Sequence, residues 1–348
     1  MIVKNEEKVL DNCLSTAGDL VDEIIIVDTG STDKTKEIAR KYTDKIYDFK
    51  WIDDFAKARN FSFEKATKDY IMWLDADDII LEEDRKKFKE FKNSIDGTQN
   101  VYSLKYVCSR DESGNPTIVI VKNRIVKREK NYKWKNPIHE YMDIKDRVIP
   151  VDIAITHSKK IVNDPNRNLR IFEKMKKEGK DFDIRNTYLY GKSLSSAGKI
   201  EQAITEFEKL IKENEKEYMK NRWYLYNGII ELANCYKIKQ ELKKELDSLF
   251  IILKNQIPTI EVLNKISDCF LRQKRYDEAI FWLEIAANID DNSYTQKHDI
   301  FITYIKLGYC YYMKKDYKKA YETNEKAGKV NPHNNTYLKN KEIYEKYL

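Results

Sequence analysis

The stretch that most constrains this chain is Tyr70-Ile71-Met72-Trp73-Leu74-Asp75-Ala76-Asp77-Asp78. Five apolar residues running into three carboxylates read as a buried strand whose C-terminal end is strongly negative. Strand side chains alternate in direction, so Asp75 and Asp77 point the same way if the backbone stays extended between them. Such a pair is half of a cation site. Hard oxygen ligands suit Mg²⁺ or Mn²⁺, and substrate phosphates commonly complete the coordination of Mg²⁺. The carboxyl ends of strands are also where open α/β sheets bind ligands. The run has a second reading, in which Asp78 caps the helix opened by Glu82, Glu83 and Asp84 and the acids favour its dipole. An EF-hand loop is excluded, because Ile79 and Ile80 stand where a ligand and the obligatory glycine belong.

Around this stretch, strand and helix alternate. Ile2 and Val3 read as the tail of a strand, and Val9, Leu10, Cys13, Leu14 and Ala17 recur at helical spacing. Residues 23–27 form a second buried strand, which ends at the turn Asp28-Thr29-Gly30-Ser31-Thr32-Asp33 before a helix to about residue 42. Residues 45–49 read as a third strand, 55–66 as a helix, 70–74 as the fourth strand and 82–91 as a helix. This pattern predicts a mainly parallel sheet with helices on both faces. The style then changes. Residues 101–109 and 117–121 read as an antiparallel hairpin closed by a turn at 111–115, and 148–156 as a last strand ending at His157, so the sheet is expected to be mixed.

After Asn163-Asp164-Pro165-Asn166 the strand signal disappears and the rest reads as helical repeats. Tyr304, Leu307, Gly308, Tyr311, Ala320, Ala327 and Pro332 fit the tetratricopeptide template. Ser267, Phe270, Ala279, Leu283 and Ala286 fit it one repeat earlier, and Gly191, Leu194, Ala203, Phe207 and Leu210 near the start. A degenerate copy runs from Leu232, Ala233 and Tyr236 toward Pro258. Helix pairs of this kind bury their faces only by stacking, so a short superhelical array is expected. The domain expectation is residues 1–160 followed by residues 161–348.

Composition narrows the function classes. The chain has 64 Lys plus Arg against 58 Asp plus Glu, interleaved along its length, which does not make a nucleic-acid stripe. No apolar run approaches the length of about 18 residues needed for a membrane span, and the first residues lack a signal-peptide core. The five cysteines follow no zinc or redox spacing. A cytoplasmic location is the expectation.

Other candidates are weighed singly. Asp28, at a strand end, can accept a hydrogen bond from a base or ribose, or simply form a turn. Gly30-Ser31-Thr32-Asp33-Lys34-Thr35 has neither the glycine pattern of a dinucleotide fold nor a P-loop, so phosphate binding has to rest on a cation and on basic side chains such as Arg59. His139-Glu140 is not a zincin motif, because position 143 is Asp143. Glu140 is a candidate general base with His139 in support, and His157 can complete the coordination begun by Asp77.

Together these stretches resemble family 2 glycosyltransferases of the GT-A fold. The resemblance rests on residues 1–7, the run 26–33, Ala58-Arg59-Asn60, Asp75-Ala76-Asp77 and residues 134–140, in the family's order. A helical repeat region after such a domain is similar to the subgroup that includes peptide glycosyltransferases of glycosylated bacteriocin pathways and related bacterial protein or cell-surface glycosyltransferases. The resemblance implies a nucleotide-sugar donor, most often a UDP-sugar, and inversion at the anomeric carbon. By it, Glu6, Asp28 and Arg59 contact the nucleotide and Asp75 faces the ribose or metal. Asp77 binds the Mg²⁺ or Mn²⁺ that bridges the diphosphate, and His157 reaches the metal. Glu140 takes the acceptor's proton, with Asp143 as the fallback base because family bases are often an Asp in an acidic pair. Family members carry several residues ahead of the position of Met1, so the expectation is either a short first strand or a trimmed chain start. The acceptor is a peptide, protein or surface glycan held by the repeats, which are the expected surface for any homodimer. Two other readings stay open, a non-catalytic repeat scaffold with a degenerate sugar-nucleotide domain and a metal-dependent nucleotidyltransferase.

Overall fold

Strand β1 (Ile2–Val3) pairs in parallel with β2 (Ile26–Asp28) across helix α1 (Leu10–Ala17). After helix α2 (Thr35–Ala39), β2 also pairs in parallel with β3 (Ile46–Asp48). Leu10 and Leu14 lie one turn apart on α1 and bury against Val3 and Ile26, closing one face of this small sheet. Helix α3 (Phe55–Glu64) follows, and the Asp54 carboxylate caps it by accepting the Lys57 N–H at 2.9 Å. The structure is a computed structural model that describes residues 1–110, 116–158, 164, 166–289 and 294–348.

The second sheet is built from β4 (Tyr70–Met72), β5 (Asp78–Ile79), β6 (Val101–Arg110), β7 (Pro116–Lys127) and β10 (Val148–His157), with helix α4 (Glu82–Ser94) between β5 and β6. Its order is β4-β7-β6-β10-β5. β8 (Trp134–Lys135) and β9 (Tyr141–Met142) form a small antiparallel ribbon beside it. The mixed character expected from the sequence is present. The parallel pairs are β1–β2, β2–β3 and β6–β10, while β4 pairs antiparallel with β7. The hairpin of β6 and β7 stands as read, and its turn at 111–115 lies outside the described residues. Leu74, Ile80, Phe88, Leu104, Ile125, Ile153 and Ile155 form the core of this sheet.

Helix α5 (Arg167–Lys177) packs on the first unit. Its Lys174 Nζ bonds the Ile52 carbonyl at 2.8 Å, Arg167 lies 4.7 Å from the Phe55 ring centre, and Phe172 is fully buried. The chain divides into units Met1–Glu178 and Gly179–Leu348, so α5 adds its length to the first. The boundary expected at residues 160–161 falls outside the described residues.

The second unit is helical among its described residues. The helices are α6 (Ile184–Ser196), α7 (Ile200–Asn214), α8 (Arg222–Ile238), α9 (Leu242–Asn255), α10 (Ile260–Arg272), α11 (Tyr276–Ala287), α12 (Tyr294–Met313), α13 (Tyr317–Val330) and α14 (Asn335–Glu345). Successive helices pack as pairs, and the small template residues sit where two helices touch. A Cβ on Gly191 would lie 2.6 Å from the Phe207 ring. Ala203, Ala279 and Ala320 are fully buried for the same reason. No described helix is long and apolar enough to cross a membrane.

Candidate active site

A cleft of about 760 Å³ opens at the C-terminal end of β1 and beyond β4, where an α/β sheet presents its ligands. Glu6, Arg59, Asp75, Asp77, His139, Glu140 and His157 all line it. Asp28 and Asp143 are not among the residues lining this cleft.

Arg59, on α3, is the fixed point of one wall. Its Nη2 donates to Asp75 Oδ1 at 2.8 Å and its Nε to Glu140 Oε1 at 2.6 Å. The guanidinium lies 4.8 Å from the Trp73 ring centre and 5.0 Å from that of Trp134, and the two indoles meet edge to face at 5.1 Å. The Arg59 side chain is 9% exposed and that of Glu140 13%, so the buried guanidinium charge is matched, while Asp75 keeps 32% exposure. Burial by itself raises the Asp75 pKa, but the Arg59 and Arg124 charges outweigh it and hold Asp75 well below the usual carboxylate range. Asp75 and Glu140 hold Arg59 protonated against the opposing pull of burial. Residues 16 and 81 positions from Arg59 in the chain are thereby held in one line.

Asp77 has a different partner, His157. β4 ends at Met72, and the backbone closes a turn in which the Asp78 N–H donates to the Asp75 carbonyl at 3.1 Å. The extended geometry that would point Asp75 and Asp77 alike is therefore absent. The reason is Asp78, which is fully buried, accepts the Asp75 N–H on Oδ2 at 2.9 Å and pairs with Arg124 at 3.0 Å. Asp78 also does not cap α4, whose N-cap residue is Leu81 and makes no side-chain cap. Antiparallel pairing of β5 with β10 sets His157 opposite Asp78, and the Ser158 N–H and hydroxyl both donate to the Asp77 carbonyl at 2.8 Å. This brings His157 Nδ1 to 3.7 Å from Asp77 Oδ1.

The ligand atoms of Asp77, Asp78 and His157 lie within 4.8 Å of one another, a group able to hold a metal ion. Asp75 is not part of it. With Asp78 committed to Arg124, the cleft-facing donors are one carboxylate oxygen and one imidazole nitrogen, which fits a divalent cation that takes its other ligands from phosphate and water.

The remaining predicted residues are placed as follows. Asp28 is 1% exposed, and its Oδ1 accepts the Gly30 and Ser31 N–H groups at 2.8 Å each, which is the turn reading. Its Oδ2 is buried without a hydrogen-bond partner among the described residues. Glu6 lines the cleft and its N–H donates to Thr35 Oγ1 at 2.7 Å. His139 has a φ of 51° and stacks on Phe172 with ring centres 6.2 Å apart. Asp143 pairs with the exposed Lys135 at 3.1 Å, which lowers its pKa. Sequence reasoning missed Arg124, Tyr106, Trp73 and Trp134 as parts of the site. Arg124 follows Lys122 and Asn123 in its strand, so nothing in the sequence sets it apart as the buried charge.

Residues 1–143 match the family model for Glycosyl transferase family 2, and residues 185–217 match that for a tetratricopeptide repeat. A TPR repeat-containing protein of Synechococcus elongatus is 33% identical over 144 residues, covering 41% of this chain and 34% of that protein. The SPbeta prophage-derived glycosyltransferase SunS of Bacillus subtilis is 26% identical over 242 residues, covering 65% of this chain and 55% of that protein. An uncharacterized glycosyltransferase of Haemophilus influenzae is 40% identical over 74 residues, covering 20% of this chain and 30% of that protein. The matches thus span about half the length of these relatives or less. Among solved structures, a MamA double mutant is similar at a TM-score of 0.38 and 17% identity, covering 48% of this chain and 84% of that one, a likeness too loose to carry an argument.

Proposed function

We propose that this chain, which carries a family 2 glycosyltransferase domain ahead of tetratricopeptide helices, transfers a sugar from a nucleotide-sugar donor to a peptide, protein or surface-glycan acceptor. One observation carries the reading: a single cleft is lined both by the Asp77–His157 pair and by the Arg59-anchored Asp75 and Glu140.

In this reading Asp77 and His157 hold Mn²⁺ or Mg²⁺. A bound cation stabilises the negative charge that builds on a departing diphosphate. Asp75, ionised by its arginine neighbours, accepts a hydrogen bond from the ribose. Glu6 and Thr29 border the nucleotide, and Asp28 shapes the turn beside it. Glu140 takes the acceptor's proton on Oε2, the oxygen not bonded to Arg59, during one in-line displacement, which inverts the anomeric carbon. The donor is a UDP-sugar by family resemblance. The helical array holds the acceptor, because stacked helix pairs present an extended concave surface.

The test is nucleoside diphosphate release from UDP-, GDP- and dTDP-sugars, with and without Mn²⁺, by the native protein and by Asp77→Ala. Metal-dependent release that Asp77→Ala abolishes is the expected result. Pyrophosphate as the product would identify a nucleotidyltransferase instead. Neither release nor metal-dependent nucleotide binding would leave the non-catalytic scaffold.

A further inference from the structure

Beneath the turn that carries Asp77 lies an arginine with no access to any ligand. Arg124, on β7, is 0% exposed. Its Nη1 donates to the Trp73 carbonyl at 3.1 Å and pairs with Asp78 Oδ2 at 3.0 Å, while its own carbonyl accepts the Trp73 N–H at 3.2 Å. One guanidinium nitrogen therefore grips both ends of the segment 73–78. The group also lies 3.8 Å from the Trp73 ring centre and 4.7 Å from that of Tyr106. The Tyr106 hydroxyl in turn meets His157 Nδ1 at 3.1 Å.

This arrangement is a poor choice for stability alone. Nε and Nη2 of Arg124 are buried without hydrogen-bond partners among the described residues. Unmet polar groups of this kind are destabilising, and an apolar side chain of similar volume between two aromatic rings often does as well or better. What an apolar residue cannot do is fix the two ends of a turn in space. The clamp sets where Asp75 leaves toward Arg59 and where Asp77 leaves toward His157.

Resting on the glycosyltransferase reading above, we propose that Arg124 is a positioning residue that sets the divalent-cation affinity of the Asp77–His157 pair by clamping segment 73–78 to Trp73 and Asp78. It touches neither donor nor acceptor. Groups that orient metal ligands from behind typically change metal affinity by about 10- to 100-fold when removed.

The probe is Mn²⁺ alone, titrated into the full chain and followed by the loss of the free-ion electron paramagnetic resonance signal. Asp77→Ala defines which part of the binding belongs to this site. Arg124→Lys keeps the charge but is shorter and lacks the planar group held between the Trp73 and Tyr106 rings, so it is expected to weaken that part by about tenfold or more. Because a lone Asp78 charge would destabilise the fold, the double variant Asp78→Asn with Arg124→Met removes both charges together, and Asp78→Asn alone, measured beside it, gives the part of any loss that belongs to Asp78 as a member of the ligand group. The double variant is expected to regain native-like thermal stability and still bind Mn²⁺ about tenfold more weakly than the native protein. Native Mn²⁺ affinity in the folded double variant would overturn the inference and make Arg124 a packing residue only. Equal binding by the native protein and Asp77→Ala would overturn the cation site itself, and the clamp with it.

Discussion

Asp75 and Asp77 stand two residues apart in one acidic motif and line one cleft, yet they have different partners. Asp75, itself 32% exposed, is ion-paired at 2.8 Å to the buried, ring-walled Arg59, which is also bound to Glu140. Asp77 is the less exposed carboxylate, at 14%, and its contact with His157, whose side chain is 34% exposed, is longer at 3.7 Å. The difference teaches that a pair of carboxylates does not act as a pair when a turn separates them. One is tied to the frame that holds the site, and the other is left to meet a ligand.

The comparison is broken most directly at Asp77. Asp77→Ala is expected to lower nucleoside diphosphate release by about 10³-fold, in line with the several kcal/mol a catalytic cation supplies. Its unfolding free energy should change by no more than about 1 kcal/mol, read from urea titration of the same sample. Loss of fold without selective loss of turnover would place Asp77 in the frame instead.

Arg59→Met should show the reverse balance. Leaving Asp75 and Glu140 without their cation is expected to destabilise the first unit by about 3 kcal/mol, the low end for a broken buried pair, because the Asp75 side chain keeps 32% exposure. Urea denaturation followed by tryptophan fluorescence reads this loss, since Trp73 and Trp134 lie on the guanidinium. An unchanged midpoint would mean that the pair contributes nothing to the frame.

Acid sharpens the same contrast. Asp75 has a depressed pKa, so its contribution is fully present above the ordinary aspartate value of about 3.9 and is lost as pH falls toward its lower folded value. The stability gap between the native protein and Asp75→Asn is therefore expected to hold level from about pH 7 to pH 4 and to shrink below that. Urea midpoints collected at each pH check it, and a gap that widens on acidification would reverse the sign. The smallest effect is expected at Asp143. Its exposed pair with Lys135 lies away from the cleft-lining residues, so Asp143→Asn should leave turnover within about twofold and stability within about 0.5 kcal/mol. A loss of turnover comparable to that of Glu140→Gln would restore Asp143 as the base.

Much of the architecture was legible because it rests on local periodicity. Leu10 and Leu14 mark a helix face wherever that helix goes, and Gly191 with Ala203 and Phe207 marks a close helix pair before any coordinates are drawn. β5 was not legible. Asp78–Ile79 is two residues long and begins with a carboxylate, so no strand signal marks it, yet its pairing with β10 is what carries His157 to Asp77. The ring-walled Arg59 was half legible: its place in Ala58-Arg59-Asn60 suggested a role, but its bond to Glu140 spans 81 positions.

The sequence by itself determined the order of strands and helices, the change to stacked helical pairs, and the set of charged residues from which a site could be drawn. These follow from side-chain spacing and backbone preference, which act over a few residues. Only the tertiary structure decided how that set was divided. Asp78 lies among the carboxylates of the motif, but burial leaves it just Arg124 as a charge partner, and satisfying that pair bends the chain between Asp75 and Asp77. Buried charge has to be matched wherever the fold brings a partner, and that is a property of the closed structure rather than of the motif.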